Sequence, residues 1–195
     1  QLDAGSDVNV GSFQGGNGLT TQSGGATTLG AVTLTGGSLQ STAGSTLAAQ
    51  QVNVQNGSAT LSSGGDMTLA NVSAGADLTA SAGANLQATT LKAGSATTLD
   101  AAQAMTLGSV TSGGGLNAMA GTNLTAGSLN SGGNATLTAT AGTLQITNAL
   151  TTAGNATLQS ALDANVANAN VGGNLAIDST NGTVTLAQAV VGGSS

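Results

Sequence analysis

The chain reads as an all-β solenoid, a parallel β-helix of about ten stacked coils of roughly 17–21 residues, with three short strands per coil. Three observations predict this. Leu and Val fall into three recurring columns; Gly- and Asn-rich pairs separate the columns; and the composition lacks both bulky side chains and charge. The columns repeat about every 19 to 20 residues, a solenoid-like period.

The first column runs Leu19, Leu39, Leu61, Leu78, Leu99, Leu116, Leu137, Leu158, Leu175. The second runs Leu29, Leu47, Leu69, Leu86, Leu107, Leu124, Leu144, Leu162, Val184. The third runs Leu34, Val52, Val72, Leu91, Val110, Leu129, Leu150, Val166, Val190. A longer period of 38 is sharper: Leu61, Leu99, Leu137 and Leu175 obey it, as do Met67 and Met105. Alternate coils are therefore expected to differ in length, with a step of 17 from Leu61 to Leu78 and of 21 from Leu78 to Leu99. The register slips between 140 and 158, which predicts a loop or bulge there.

Each column sits in a short alternating segment such as "ATL", "MTL" or "TTL". Alternation puts Leu on one face and Thr, Ser or Asn on the other. Gly-Gly, Ala-Gly, Asn-Gly and Ser-Gly pairs between segments are turn formers. Stacked coils pair each strand with its equivalents above and below, so backbone polar groups are satisfied along the stack. Helices are disfavoured by the 32 Gly and by apolar spacing that does not follow 3.6.

Charged residues are 4% of the chain, with one Lys and no Arg. One cation cannot neutralise a phosphate backbone, so no nucleic-acid partner is expected, nor an anionic membrane surface. No apolar stretch reaches the length of a transmembrane helix. Aromatic girdles of an outer-membrane barrel are missing, Phe13 being the one aromatic. The chain is expected to be a single β-helix domain over 1–195, a piece of a longer shaft starting at Gln1, with 192–195 as a linker.

Segments 64–99, "GGDMTLANVSAGADLTASAGANLQATTLKAGSATTL", and 132–148, "GGNATLTATAGTLQITN", resemble the repeats of filamentous haemagglutinins. That family includes two-partner secretion exoproteins and the stalks of contact-dependent inhibition toxins. The resemblance covers nearly the whole chain. It implies a right-handed parallel β-helix and a secreted or cell-surface location in a Gram-negative bacterium. The implied partners are an outer-membrane secretion pore and, through distal domains, a host or neighbouring cell. No secretion domain and no toxin or binding domain is recognisable.

No catalytic, cofactor-binding or metal-binding residues are assigned, no cofactor is expected, and the chain is read as a non-enzyme. Polysaccharide-active β-helices need clustered carboxylates. Here Asp3, Asp7, Asp66, Asp77, Asp100, Asp163 and Asp178 are scattered along the coils, and Lys92 stands alone as a cation. They read as solvated turn or strand-surface residues. There is no His or Cys for zinc. The nearest calcium-repeat match, 15–20, has Thr20 where Asp belongs. Gly113-Gly114-Gly115 lacks the Lys of a phosphate loop. Sequons at Asn56, Asn71, Asn123, Asn134, Asn155 and Asn181 are what an Asn- and Thr-rich repeat yields by chance. Met67 and Met105 read as core fillers.

The expected function is a structural shaft that presents distal adhesive or toxic domains. Three alternatives stand beside it: a self-assembling fibre subunit joined end to end, an ice-binding β-helix, and a polysaccharide-active enzyme. Thr136-Leu137-Thr138-Ala139-Thr140 and Thr183-Val184-Thr185 favour ice binding locally, but Leu-based alignment puts Ser62, Asp100 and Ala176 where Thr138 stands.

Overall fold

The computed structural model describes residues 1–193. Twenty strands, from β1 (Leu2–Ala4) to β20 (Val184–Val191), form two ten-stranded sheets. Odd-numbered strands make one sheet and even-numbered strands the other, every pairing parallel to the equivalent strand of the next coil. Each coil is thus one short strand, a turn, one long strand and a second turn. No helix occurs among the described residues. The chain is a β-solenoid of ten coils.

The short strands, such as β9 (Leu78–Ala82), are five residues long with first, third and fifth side chains inward. The long strands, such as β10 (Leu86–Ala93), are eight residues long with inward positions one, three, six and eight. Two adjacent residues, Thr89 and Thr90, face outward there, and the ladder skips Thr89. Alternation broken once turns a corner without ending the strand. The second and third columns expected from sequence are therefore two halves of one bent strand. Three inward-facing segments per coil remain, but two strands carry them.

Register corrects the coil length. Leu61 pairs with Ala80, not Leu78, and Leu99 lies between Ala80 and Ala118. From β5 (Leu39–Ala43) to β15 (Ala135–Ala139), Leu therefore alternates between the first and third residues of successive short strands, opposite Ala, Ser or Thr. The short strands begin at Ala59, Leu78, Thr97, Leu116 and Ala135, a constant step of 19, and paired residues elsewhere in the short-strand sheet are 19 to 21 apart. The 17/21 alternation belongs to Leu placement, not to coil length. The long strands repeat the exchange: Leu69 lies between Ala49 and Ala88, and Leu107 between Ala88 and Ala126. Large over small lets layers interdigitate to native density, and this accounts for the 38-residue period.

Met67 and Met105 are buried at the first inward position, as core fillers. Three residues of the sequence columns move. Leu162 lies in a turn, 45% exposed; Val190 points outward, 70% exposed; Val166 belongs to the second inward segment, paired with Ile146. The slip near 140–158 is a bulge. Strand β16 (Leu144–Thr152) has nine residues, and its register shifts after Ile146.

The corners are closed by hydroxyls. Inside the coil, Thr21 Oγ1 donates to Ser41 Oγ at 2.7 Å. Ser112 Oγ donates to the carbonyls of Ser95 and Gly115, and Ser131 Oγ to those of Gly114 and Asn134. Each of these carbonyls also accepts a backbone N–H from a neighbouring coil, of Gly114, Thr97, Gly133 and Leu116 respectively, so the hydroxyl fills the second lone pair and satisfies its own buried donor. Of the expected linker 192–195, Gly192 and Gly193 continue the stack, donating to Val171 and Gly173 carbonyls at 2.8 Å each. The remaining two residues lie outside the described ones.

Candidate functional surface

What a solenoid offers a partner is its outward columns, its turns and its two ends. The structure assigns each ionisable residue to one of these.

Asp7, Asp66 and Asp163 occupy the last position of the turn between short and long strands. Each Oδ1 accepts the backbone N–H of the equivalent residue one coil on: Ala26 at 2.8 Å, Asn85 at 3.0 Å and Thr183 at 2.9 Å. Asn85 and Asn123 do the same for Ala104 and Thr143. At the other turn, Asp77 accepts from Ala96, Asn134 from Asn155, and Asn155 from Asn174. Asn and Asp recur here because a short side-chain oxygen reaches a neighbouring coil's N–H that the turn leaves outside the ladder. These donors hold the Asp66 carboxyl below its ordinary pKa, first through the Asn85 backbone N–H and then through its side-chain amide. The Asp163 carboxyl is lowered likewise by the Thr183 N–H and hydroxyl.

Asp3, Asp100 and Asp178 share a different column, the outward fourth position of the short strands. Five coils separate the first two and four the last two, roughly 24 and 19 Å along the stack at about 4.8 Å per coil. Asp66 and Asp77 sit at opposite ends of one long strand, β8 (Met67–Ala74). The fold thus spreads the carboxylates over turns and one outward column. Among the described residues, no group of three His, Cys, Asp or Glu is placed to hold a metal ion. Both sequence expectations for the Asp residues, turn and strand surface, are met at these positions.

Lys92 lies outward on β10, between Ser73 and Thr111. With Gln51, Asn53, Asn71 and Thr90 it lines a shallow furrow on the second half of the long strands. A second furrow, on the short-strand face, is lined by Thr98, Asn117, Asn134 and Thr136. Such surfaces present amides and hydroxyls at the coil repeat and can hydrogen-bond water or neutral polar groups.

The Thr residues are redistributed by register. One outward column holds Thr60, Thr79 and Thr98 in succession, then Asn117, Thr136 and Thr157. The neighbouring column holds Ser62, Ser81, Asp100, Met119, Thr138 and Gln159. Asp178, not Ala176, is the equivalent of Thr138 in the last coil. Thr185 is on the other sheet. The Thr-x-Thr pattern at 136–138 is a local row, and the longer element is a single Thr column, interrupted at Asn117, that the Leu-based alignment hides.

The last coil differs from those beneath it. Its inward residues Val184 and Leu186 are 48% and 37% exposed, and Leu2 in the first coil is 42% exposed. Among the described residues, no further strand pairs with the outer edge of β20.

No family model, no curated protein and no solved structure matches the chain.

Proposed function

We propose that the chain is a structural shaft segment of a secreted bacterial surface protein, presenting distal binding or toxic domains away from the cell. The observation that carries the reading is the unbroken ladder. Ten coils pair continuously, the core is a filled column of Leu, Val and Ala, and every inter-coil step is closed by backbone or Asx hydrogen bonds. Such a rod resists bending because each coil touches its neighbours over its whole perimeter. Its length grows by about 4.8 Å for each coil, an economical spacer. The repeat resemblance to filamentous haemagglutinins supports export through an outer-membrane pore and a role in adhesion, with binding assigned to domains other than these coils.

A second reading is a fibre subunit joined end to end, since the edge strand of a parallel stack can template pairing with a strand of another chain. Electron microscopy across a concentration series tests both. Rods of roughly 48 Å, ten coils at the strand spacing, support the shaft. Multiples of that length at high concentration support the fibre. A compact particle sinks both.

A further inference from the structure

The chain contains three Asn-Gly pairs, Asn17-Gly18, Asn56-Gly57 and Asn181-Gly182, all in turns. In such a pair the glycine nitrogen can attack the asparagine side-chain carbonyl carbon, because no Cβ on the second residue hinders the approach. Attack requires that this nitrogen lose its proton and that the asparagine side chain rotate onto it. A hydrogen bond that holds either group opposes the step.

The three turns differ in this respect. Asn56 Nδ2 donates to the Thr35 carbonyl at 2.6 Å. Gly57 is buried, against the Gly37 carbonyl, whereas the reacting nitrogen of an exposed pair is open to solvent base. At the third pair, the Gly182 N–H donates to Ser179 Oγ at 3.1 Å and the Asn181 N–H to the Ala161 carbonyl at 2.9 Å. Asn17 and Gly18 are both exposed, and among the described residues neither the Asn17 amide nor the Gly18 N–H makes a hydrogen bond. Glycine is nonetheless demanded at 18, since a Cβ there would lie 2.7 Å from the Ser38 carbonyl oxygen. The close approach of two coils thus creates the reactive dipeptide, and the turn leaves its side-chain amide and glycine N–H without a hydrogen bond to hold them.

We propose that Asn17 is a site of spontaneous succinimide formation. The Gly18 nitrogen gives up its proton and bonds to the Asn17 side-chain carbonyl carbon. The carbon–Nδ2 bond breaks and ammonia leaves. Water then opens the ring at one of its two carbonyls, yielding aspartate or isoaspartate, with no change of oxidation state. Either product adds one negative charge. Isoaspartate also inserts a methylene into the main chain between β2 (Val8–Gly15) and β3 (Leu19–Ser23), next to the Leu19 N–H bond to the Ser38 carbonyl.

The test is to incubate the full chain at mildly alkaline pH, folded and in denaturant, and to follow each pair by fragmentation mass spectrometry and isoaspartyl methylation. In the folded protein Asn17 converts first. Asn56 lags it by about tenfold or more, the rate ratio for one hydrogen bond that must break before reaction. In denaturant the three rates converge. The folded Asn17→Gln variant loses the earliest acidic isoform on isoelectric focusing. Conversion of folded Asn56 as fast as Asn17, or an intact Asn17 after Asn181 has reacted, overturns the proposal.

Discussion

Coils 59–139 and the stretch 140–171 build the same solenoid under different rules. In the first, short strands begin at evenly spaced positions, from Ala59 through Leu78, Thr97 and Leu116 to Ala135, and Leu and Ala exchange places from coil to coil. In the second, a four-residue turn at 140–143 and the nine-residue β16 add length. The inward columns nevertheless stay in line, Leu129 on Leu150 and Leu150 on Ala169. The added residues sit outward, where polar side chains take up backbone groups: Thr147 Oγ1 donates to the Ala126 carbonyl at 3.2 Å, and Asn168 Nδ2 to the Asn148 carbonyl at 2.7 Å. The core tolerates no slip, because a one-residue shift would turn every apolar side chain to solvent. Surface positions absorb what the core refuses.

Single deletions break this comparison most sharply. Loss of Asn148 from the bulge is expected to return β16 to eight residues and to change stability by only about 1 kcal/mol, the range of ordinary surface changes. Loss of Thr106 from β12 (Met105–Ser112) reverses inside and outside for part of that strand and is expected to abolish cooperative unfolding. Thermal denaturation followed by circular dichroism distinguishes them. Equal damage from both would show that the bulge is as constrained as the regular coils.

The exchange of Leu and Ala is probed next. Leu99→Ala leaves a cavity between Ala80 and Ala118 and should cost about 2–5 kcal/mol. Ala118→Leu alone crowds Leu99 and Leu137 and should cost about 1–3 kcal/mol. Combined, the second change fills the space opened by the first, so urea titrations should give a total below the sum. Strict additivity would remove packing complementarity as the cause of the 38-residue period.

Thr97→Val is a smaller test. Thr97 Oγ1 is buried with no hydrogen-bond partner, between Leu78 and Leu116. Replacing the hydroxyl by a methyl should raise stability by about 1 kcal/mol in the same titration. A loss would mean that the hydroxyl finds a partner in solution.

The smallest effect concerns pH. The folded-state pKa values of Asp66 and Asp163 lie below the ordinary carboxylate value. Their contribution is therefore complete above the unfolded-state pKa and is lost as pH falls through the folded one. Asp66 is exposed and Asp163 half-exposed, so solvent screens the effect. Asp66→Asn keeps the acceptor and loses the titration. Melting temperature measured between pH 5 and about pH 2 should fall less in that variant than in the parent. Identical acid profiles would assign the acid sensitivity to other groups.

Most of the architecture was legible in the chain alone. Alternating Leu segments, Gly-rich turns and the regular recurrence of the three columns determined the β class, the turns, the stacking and the coil number, though not that two of the three segments join in one bent strand. The slip at 140–158 announced the bulge, and the scattered Asp residues announced turn and surface positions. Register was decided by tertiary structure. First and third residues of a strand both face inward, so a Leu at either satisfies the same pattern, and only pairing with the neighbouring coils shows that Leu61 lies on Ala80. For the same reason Leu162 and Val190 read as core yet stand in solvent, and the Thr column of the short strands emerges only once the coils are aligned by their backbones. Local alternation records which way a side chain points. Which side chain it meets is set by the length of every turn between them.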